Sequence, residues 1–374
     1  MTEIMVLQDG SGNILINSDG LMMGDGALAA EAEGDNYTGT VMPITGTGHP
    51  TCSDVTEDGT TLYVGMSEAP FIARYVWNSN TEIYDYVDTG IDSLGVYPNA
   101  LHLSGDGNFM AVAVSGAPGV VSYKWNAVND RFEATGAVNV SLNTNSSGIG
   151  SIEVSDDGSL MSIANYNNPK FDSFKWNETN NRYERTGQPN IAPGAASYFH
   201  AATADGMVAV STFQSASPYV NTYSWNELAN RYEKHASIDI APSSSAAIGA
   251  WLSTDASLMA IGSYTGFYTY KWNATNNRYE KTADPSPQVA LPIRIYSDDD
   301  GSSLIVNNAG AGNGLFSYKW IEVNNRYEQV VGAFTPTTFP SWAKGCMTGA
   351  AVGRFIITGG TDANPRFEVY PPHV

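Results

Sequence analysis

Basic residues are scarce in this chain. Lysine and arginine together number 18 against 38 aspartates and glutamates, and only 15% of the 374 residues are charged. The formal balance of −20 repels phosphate backbones and anionic headgroups, so no nucleic-acid partner is expected. Long apolar runs are missing as well. None approaches the roughly 20 residues that a membrane helix requires, so no membrane insertion is expected. Cysteine is limited to Cys52 and Cys346, too few for a disulfide framework and without metal-ligand spacing, and both are read as buried thiols. The opening Met1-Thr2-Glu3-Ile4-Met5-Val6 has neither the basic start nor the apolar stretch of a secretory signal, which leads us to expect none. Nucleophile-elbow, phosphate-loop and dinucleotide motifs are absent. The five histidines, His49, His102, His200, His235 and His373, form no zinc-type cluster. The expectation is a protein that is not an enzyme, with no catalytic residues, no metal and no cofactor.

What the chain does have is a repeat. Trp77, Trp125, Trp176, Trp225, Trp272 and Trp320 each follow an aromatic residue by two positions, and all but the last precede Asn. The steps between them are 48, 51, 49, 47 and 48 residues, and these six account for most of the eight tryptophans. Each is followed by a block such as Asn180-Asn181-Arg182-Tyr183-Glu184 or Asn276-Asn277-Arg278-Tyr279-Glu280. Asn tolerates the left-handed backbone of tight hairpins, so this block joins two strands. Upstream lies a second turn of the type Asp156-Asp157-Gly158, flanked by apolar alternation as in Leu160 to Ala164. For residues 149–191 this predicts strands near 149–155, 160–165, 171–177 and 182–187. Four short strands per repeat of about 50 residues, with no helical spacing, describe a propeller blade.

Six complete units run from about Thr51 to Phe334, and a seventh from Ser341 lacks its outer strand. Residues 36–44, from Asn36 to Ile44, mimic the segment Arg182 to Ile191 and are expected to supply it. The expected fold is all-β: a seven-bladed β-propeller of four-stranded antiparallel blades over residues 36–374, its ring closed by the N-terminal strand. Residues 1–35 precede it as an extended docking arm, in which Leu7, Ile14, Leu15, Ile16, Leu21 and Met22 supply the apolar contacts. That arm is too short to bury its own apolar residues.

The repeated Trp and Tyr residues occur once per unit in one strand, which marks them as packing between blades. Asp-Gly turns, and Asp298-Asp299-Asp300, carry oxygen ligands but no EF-hand spacing, and hairpin geometry accounts for them. In the innermost strands Asp54, His102 and Glu153 align, with Ala201, Trp251 and Ile295 at the same position of other units. Variable loops share one face of a propeller. Aromatics there, Phe71, Tyr97, Tyr166, Phe171, Tyr198, Phe199, His200, Phe213, Tyr219, Tyr264 and Trp342, stand among Asn, Ser and Gln. Such a surface suits a carbohydrate or a protein epitope.

In layout the repeats resemble the WD40-like seven-bladed propellers, although aromatic-x-Trp-Asn with Asn-Arg-Tyr-Glu replaces the WD dipeptide. The segment from Val6 to Met23, with Leu7-Gln8-Asp9-Gly10-Ser11-Gly12-Asn13-Ile14-Leu15, resembles leader segments on virion proteins of tailed bacteriophages. The resemblance implies a structural protein displayed on a phage particle, as a head decoration or tail fibre, assembled in the host cytoplasm. Its implied partners are capsid, neck or tail proteins and a host surface glycan, with homo-oligomers forming through the arm. A propeller enzyme of lactonase or glycan-lyase type, or a scaffold propeller, is the alternative expectation.

Overall fold

The computed structural model describes residues 6–8, 14–16, 40–41, 50–81, 83–87, 91, 94–114, 116–138, 149–213, 219–242, 247–286, 292–297, 301–308, 314–334, 346–349, 355–361 and 364–370. The chain divides into two compact units, Met1–Thr38 and Gly39–Val374. In the first, strands Val6–Gln8 and Ile14–Ile16 pair as an antiparallel hairpin.

The second unit contains seven four-stranded antiparallel sheets. In six of them the strands follow one another in chain order, as in Ile149–Val154, Leu160–Asn165, Phe171–Asn177 and Arg182–Arg185. The remaining sheet joins Cys346–Gly349, Phe355–Thr361 and Asn364–Tyr370 to Thr40–Val41, with Thr40 opposite Val369 and Val41 opposite Glu368. Second strands such as Phe109–Val114, Leu160–Asn165 and Leu258–Ser263 are buried at every position. A strand covered on both faces selects a continuous apolar or small-residue run instead of alternation. Outer strands such as Arg182–Arg185 bury only their aromatic residue.

Two turns recur, and side chains hold both. In the first, Asp157 Oδ1 accepts from Ser155 Oγ (2.8 Å) and from the Ser159 N–H (2.8 Å), while Ser155 Oγ accepts from the Leu160 N–H (2.9 Å). Burial works against the Asp157 carboxylate, but these donors outweigh it and keep its pKa below the usual value. Gly158 follows with φ +69°, and a Cβ there would lie 2.0 Å from the Phe109 ring. In the second turn Asn181 is left-handed, and Glu184 accepts from Asn177, Asn180 and Arg182. The repeated Asn-Arg-Tyr-Glu signature is thus a hairpin lock. Its Tyr183 hydroxyl donates to the Gly158 carbonyl (2.6 Å), tying outer strand to inner turn, and its ring meets Trp176 edge-on at 5.2 Å.

The fifth sheet breaks the pattern, with Ala256 at φ +56° where the other described turns place Gly59, Gly107, Gly158, Gly206 and Gly301. The residue of the preceding sheet that corresponds to Phe109 is Val208, which leaves more room. Replacing Ala256 with Gly removes left-handed strain and should raise the unfolding free energy by about 0.5–1 kcal/mol. Urea denaturation checks this, and an unchanged or lower midpoint would show that the Ala256 methyl contributes more by packing than it costs by strain.

Outer strands end earlier than expected, at Arg185 instead of 187, because the chain then pairs with a different sheet. The Gly187 N–H donates to Asn230 O, the Asn190 N–H to Tyr232 O, and the Lys234 N–H returns to Asn190 Oδ1. Asp239 repeats this with Tyr279 and Lys281, and Ser286 with Tyr327 and Gln329. Each connector therefore covers the open outer edge of the next sheet, where unpaired groups would otherwise invite another chain.

Candidate functional site

First strands of successive sheets lie side by side. Pro50–Val55 adjoins Pro98–Leu103, which adjoins Ile149–Val154, followed by Ser197–Ala202, Ala247–Leu252 and Pro292–Ser297; Cys346–Gly349 adjoins both Pro292–Ser297 and Pro50–Val55. A first strand has a ladder on one side only, so the backbone groups on its other side need partners. Side chains of the preceding sheet supply them. Asp54 Oδ2 accepts from the Leu103 N–H (2.7 Å), His102 Nδ1 from the Val154 N–H (3.2 Å), and Ser151 Oγ from the His200 N–H (2.8 Å).

Asp54, His102, Glu153, Ala201, Trp251 and Tyr296 occupy one equivalent position, opposite the third residue of each second strand. Tyr296, and not the expected Ile295, takes this place. The first strands of all six complete repeats share one register shift after their first residue, and Tyr296 stands five residues before Gly301 as Asp54 does before Gly59 and His102 before Gly107. His102 Nε2 lies 2.8 Å from Glu153 Oε2, with side-chain exposures of 30% and 23%. Since Nδ1 accepts from Val154, the neutral ring carries its proton on Nε2 and donates it to Glu153. Burial pushes the His102 pKa down, but the carboxylates of Glu153 and Asp54 outweigh it and raise it to about 9. The Val154 N–H opposes that rise, because a second proton would set two donors face to face.

Two residues expected on the loop face are core residues instead. His200 is 3% exposed, with Nε2 2.7 Å from Ser162 Oγ and Nδ1 3.2 Å from Ser151 Oγ. Its pKa is pushed down to about 4 by burial. Phe171 is fully buried and stacks on Tyr223 at 5.0 Å. Both sit on strands whose alternation turns them into the contact between the third and fourth sheets. Tyr97 and Tyr264 are exposed (42% and 45%), while Phe71, Tyr166, Phe199 and Tyr219 are partly buried. Tyr219 adopts φ +64°, an uncommon backbone for an aromatic residue. Tyr198 and Phe213 lie in strands Ser197–Ala202 and Val208–Phe213. Trp342, Leu21, Met22 and Asp298 to Asp300 lie outside the described residues, whereas Leu7, Ile14, Leu15 and Ile16 form the hairpin.

Cys52 is a buried thiol. Among the described residues no group of three or more His, Cys, Asp or Glu is placed to hold a metal ion, and no helix is long and apolar enough to cross a membrane. A buried cluster that the sequence did not disclose joins Asp172 (side chain 1% exposed) to Arg185 Nε at 2.7 Å and Gln188 Nε2 at 2.9 Å. Its members are 13 and 16 residues apart and follow no motif.

These sheets define a β-propeller, and solved structures bear out that fold. The β-propeller domain of Cps50 (Swd1) from Myceliophteria thermophila is 11% identical with a TM-score of 0.63, over 89% of this chain and 99% of that one. U3-55K is 9% identical with a TM-score of 0.60, over 89% and 98%. The periplasmic gluconolactonase PpgL of Pseudomonas aeruginosa is 15% identical with a TM-score of 0.58, over 77% and 86%. At such identities the likeness extends to the fold alone. No protein-family model matches the chain, and no curated protein does.

Proposed function

We propose that the seven sheets close into a seven-bladed ring, Thr40–Val41 supplying the outer strand of the last blade, and that the ring is a non-catalytic binding scaffold. One observation carries this reading: among the described residues, polar side chains of the first strands bond to the backbone of the neighbouring first strand. Asp54, His102 and Ser151 each accept from such an N–H, so these three have a structural task. Variable loops bearing Tyr97 and Tyr264 are then the binding surface, and a glycan or protein epitope is the ligand class. Display on a phage particle is the finer form of this reading and rests on the resemblance of the Val6 to Met23 segment to leader segments of virion proteins.

The test is a panel of bacterial surface oligosaccharides probed with the full chain. Tyr97→Ala with Tyr264→Ala should weaken any binding about tenfold or more, since exposed aromatics carry a large share of such contacts, while Glu153→Gln leaves it unchanged. Binding that survives the tyrosine changes sinks the loop-face assignment. Banding of the chain with particles on a density gradient tests the display reading separately.

The His102–Glu153 contact favours one second reading, a lactone hydrolase in which Glu153 acts as base. Hydrolysis of glucono-1,5-lactone by the parent chain, lost in Glu153→Gln, would replace the scaffold reading. No turnover by the parent chain removes this reading for that substrate.

A further inference from the structure

The unit Met1–Thr38 combines two features that together define a partner. Its hairpin sets Val6 opposite Ile16, Leu7 opposite Leu15 and Gln8 opposite Ile14, so five of the six ladder residues are apolar. Among the described residues neither strand pairs with a third. A two-stranded ribbon of this length is marginal alone in water and offers two open edges. The second feature is charge. Glu3, Asp9, Asp19, Asp25, Glu31, Glu33 and Asp35 give this unit seven acidic residues, and the first lysine or arginine of the chain is Arg74.

Charge decides between the occupants that could cover the hairpin. A second copy would bring an equally acidic segment, with seven more carboxylates and no lysine or arginine, and like charges oppose association. A basic surface gains from the same field. We propose that the hairpin docks by strand addition to the exposed sheet edge of a partner protein whose rim is rich in lysine and arginine. Main-chain bonds and the apolar ladder then supply affinity, and the acidic flanks supply orientation and rate. The inference rests on the reading of the arm as a docking segment and is independent of the loop face.

The experiment uses the full chain and two synthetic strands, Lys-Val-Lys-Val-Lys-Val-Lys and its glutamate counterpart, with binding followed by calorimetry. The basic strand should bind, with affinity falling about tenfold or more between about 50 and 500 mM salt as screening shortens the field. The acidic strand should not bind. A full-chain variant carrying Leu7→Asp and Leu15→Asp should lose the interaction although it is more acidic, and its thermal unfolding should match the parent. Binding of the basic strand that persists in this variant overturns the proposal, because bulk charge then suffices. So does equal binding of both strands, or no binding of either. Self-association by sedimentation, abolished in the variant, overturns it in favour of a second copy. Particle banding on a gradient reports on the display reading whatever the peptides do.

Discussion

Acidification from pH 7 to pH 4.5 should destabilise the protein by about 2–3 kcal/mol through His200 alone. The neutral ring is locked between Ser151 and Ser162 in the contact between two sheets, and burial holds its pKa at about 4. The unfolded chain titrates near 6.5. Between those values the unfolded state binds a proton that the folded state refuses, so stability is full above about pH 6.5 and is lost as the pH falls toward 4. His235, also held at about 4 by burial but more open to solvent, adds a smaller slope of the same sign. The lowered carboxylates Asp58, Asp157 and Asp255 act in a different window. Their contribution persists above the ordinary carboxylate pKa and disappears only at still lower pH. Urea denaturation of the parent and of His200→Gln across pH 4.5 to 8 separates these terms. The variant should be weaker than the parent at pH 7, keep only the shallower His235 slope, and lose about 2 kcal/mol less than the parent between pH 7 and 4.5. Parallel slopes in the two proteins would show that the acid loss lies elsewhere.

Replacing Arg185 with Met should cost about 3–4 kcal/mol at pH 7, the largest single loss anticipated outside the apolar core. Asp172 has almost no exposure, and one of its oxygens has no hydrogen-bond partner. Burial already raises its pKa, against the pull of Arg185 and Gln188. Removing the guanidinium leaves a buried charge with Gln188 alone, and an orphaned ion is far more costly than a pair removed whole. Asp172→Asn added to Arg185→Met should recover most of the loss. Asp172→Asn alone should cost less than Arg185→Met, because Arg185 is 28% exposed and water can take over. A double-mutant cycle measured by urea unfolding gives the coupling. Lowering the pH to 5 should also rescue Arg185→Met, by protonating Asp172. Additive single losses, with no rescue by acid, would remove the charge argument and leave a packing effect.

Much of the fold was legible because it is local. The Asp-Gly turn, the Asn-Arg-Tyr-Glu lock and the aromatic-x-Trp-Asn strand each act within one hairpin, where a few neighbouring side chains satisfy a few neighbouring backbone groups. The bonds of Asp157 to residues 155 and 159, and of Glu184 to 177, 180 and 182, are of this kind. Repetition every 47 to 51 residues then exposes the signal six times over. The site was less legible. Phe171 and His200 stand next to variable loops in the sequence, which points to the loop face although both are buried. The register shift between Ser197 and Phe199 interrupts alternation in this strand, so the side that His200 takes and the sheet that it meets are not written in the sequence. Tyr296 is found by counting five residues back from Gly301, whereas counting back from Trp320 misses it, because the link between second and third strands varies in length.

The sequence by itself determined the number and order of the strands in each complete repeat, the chemistry of both turns, and the acidity of the chain from Met1 to its first cationic side chain at Arg74. Tertiary structure alone decided how sheets serve one another. Asp54 meets Leu103, His102 meets Val154, Ser151 meets His200, and Asn190 meets Lys234, each across 44 to 52 residues. The physical reason is the same in every case. An edge strand leaves backbone donors that its own sheet cannot satisfy, and which side chain reaches them depends on how two separately specified sheets pack.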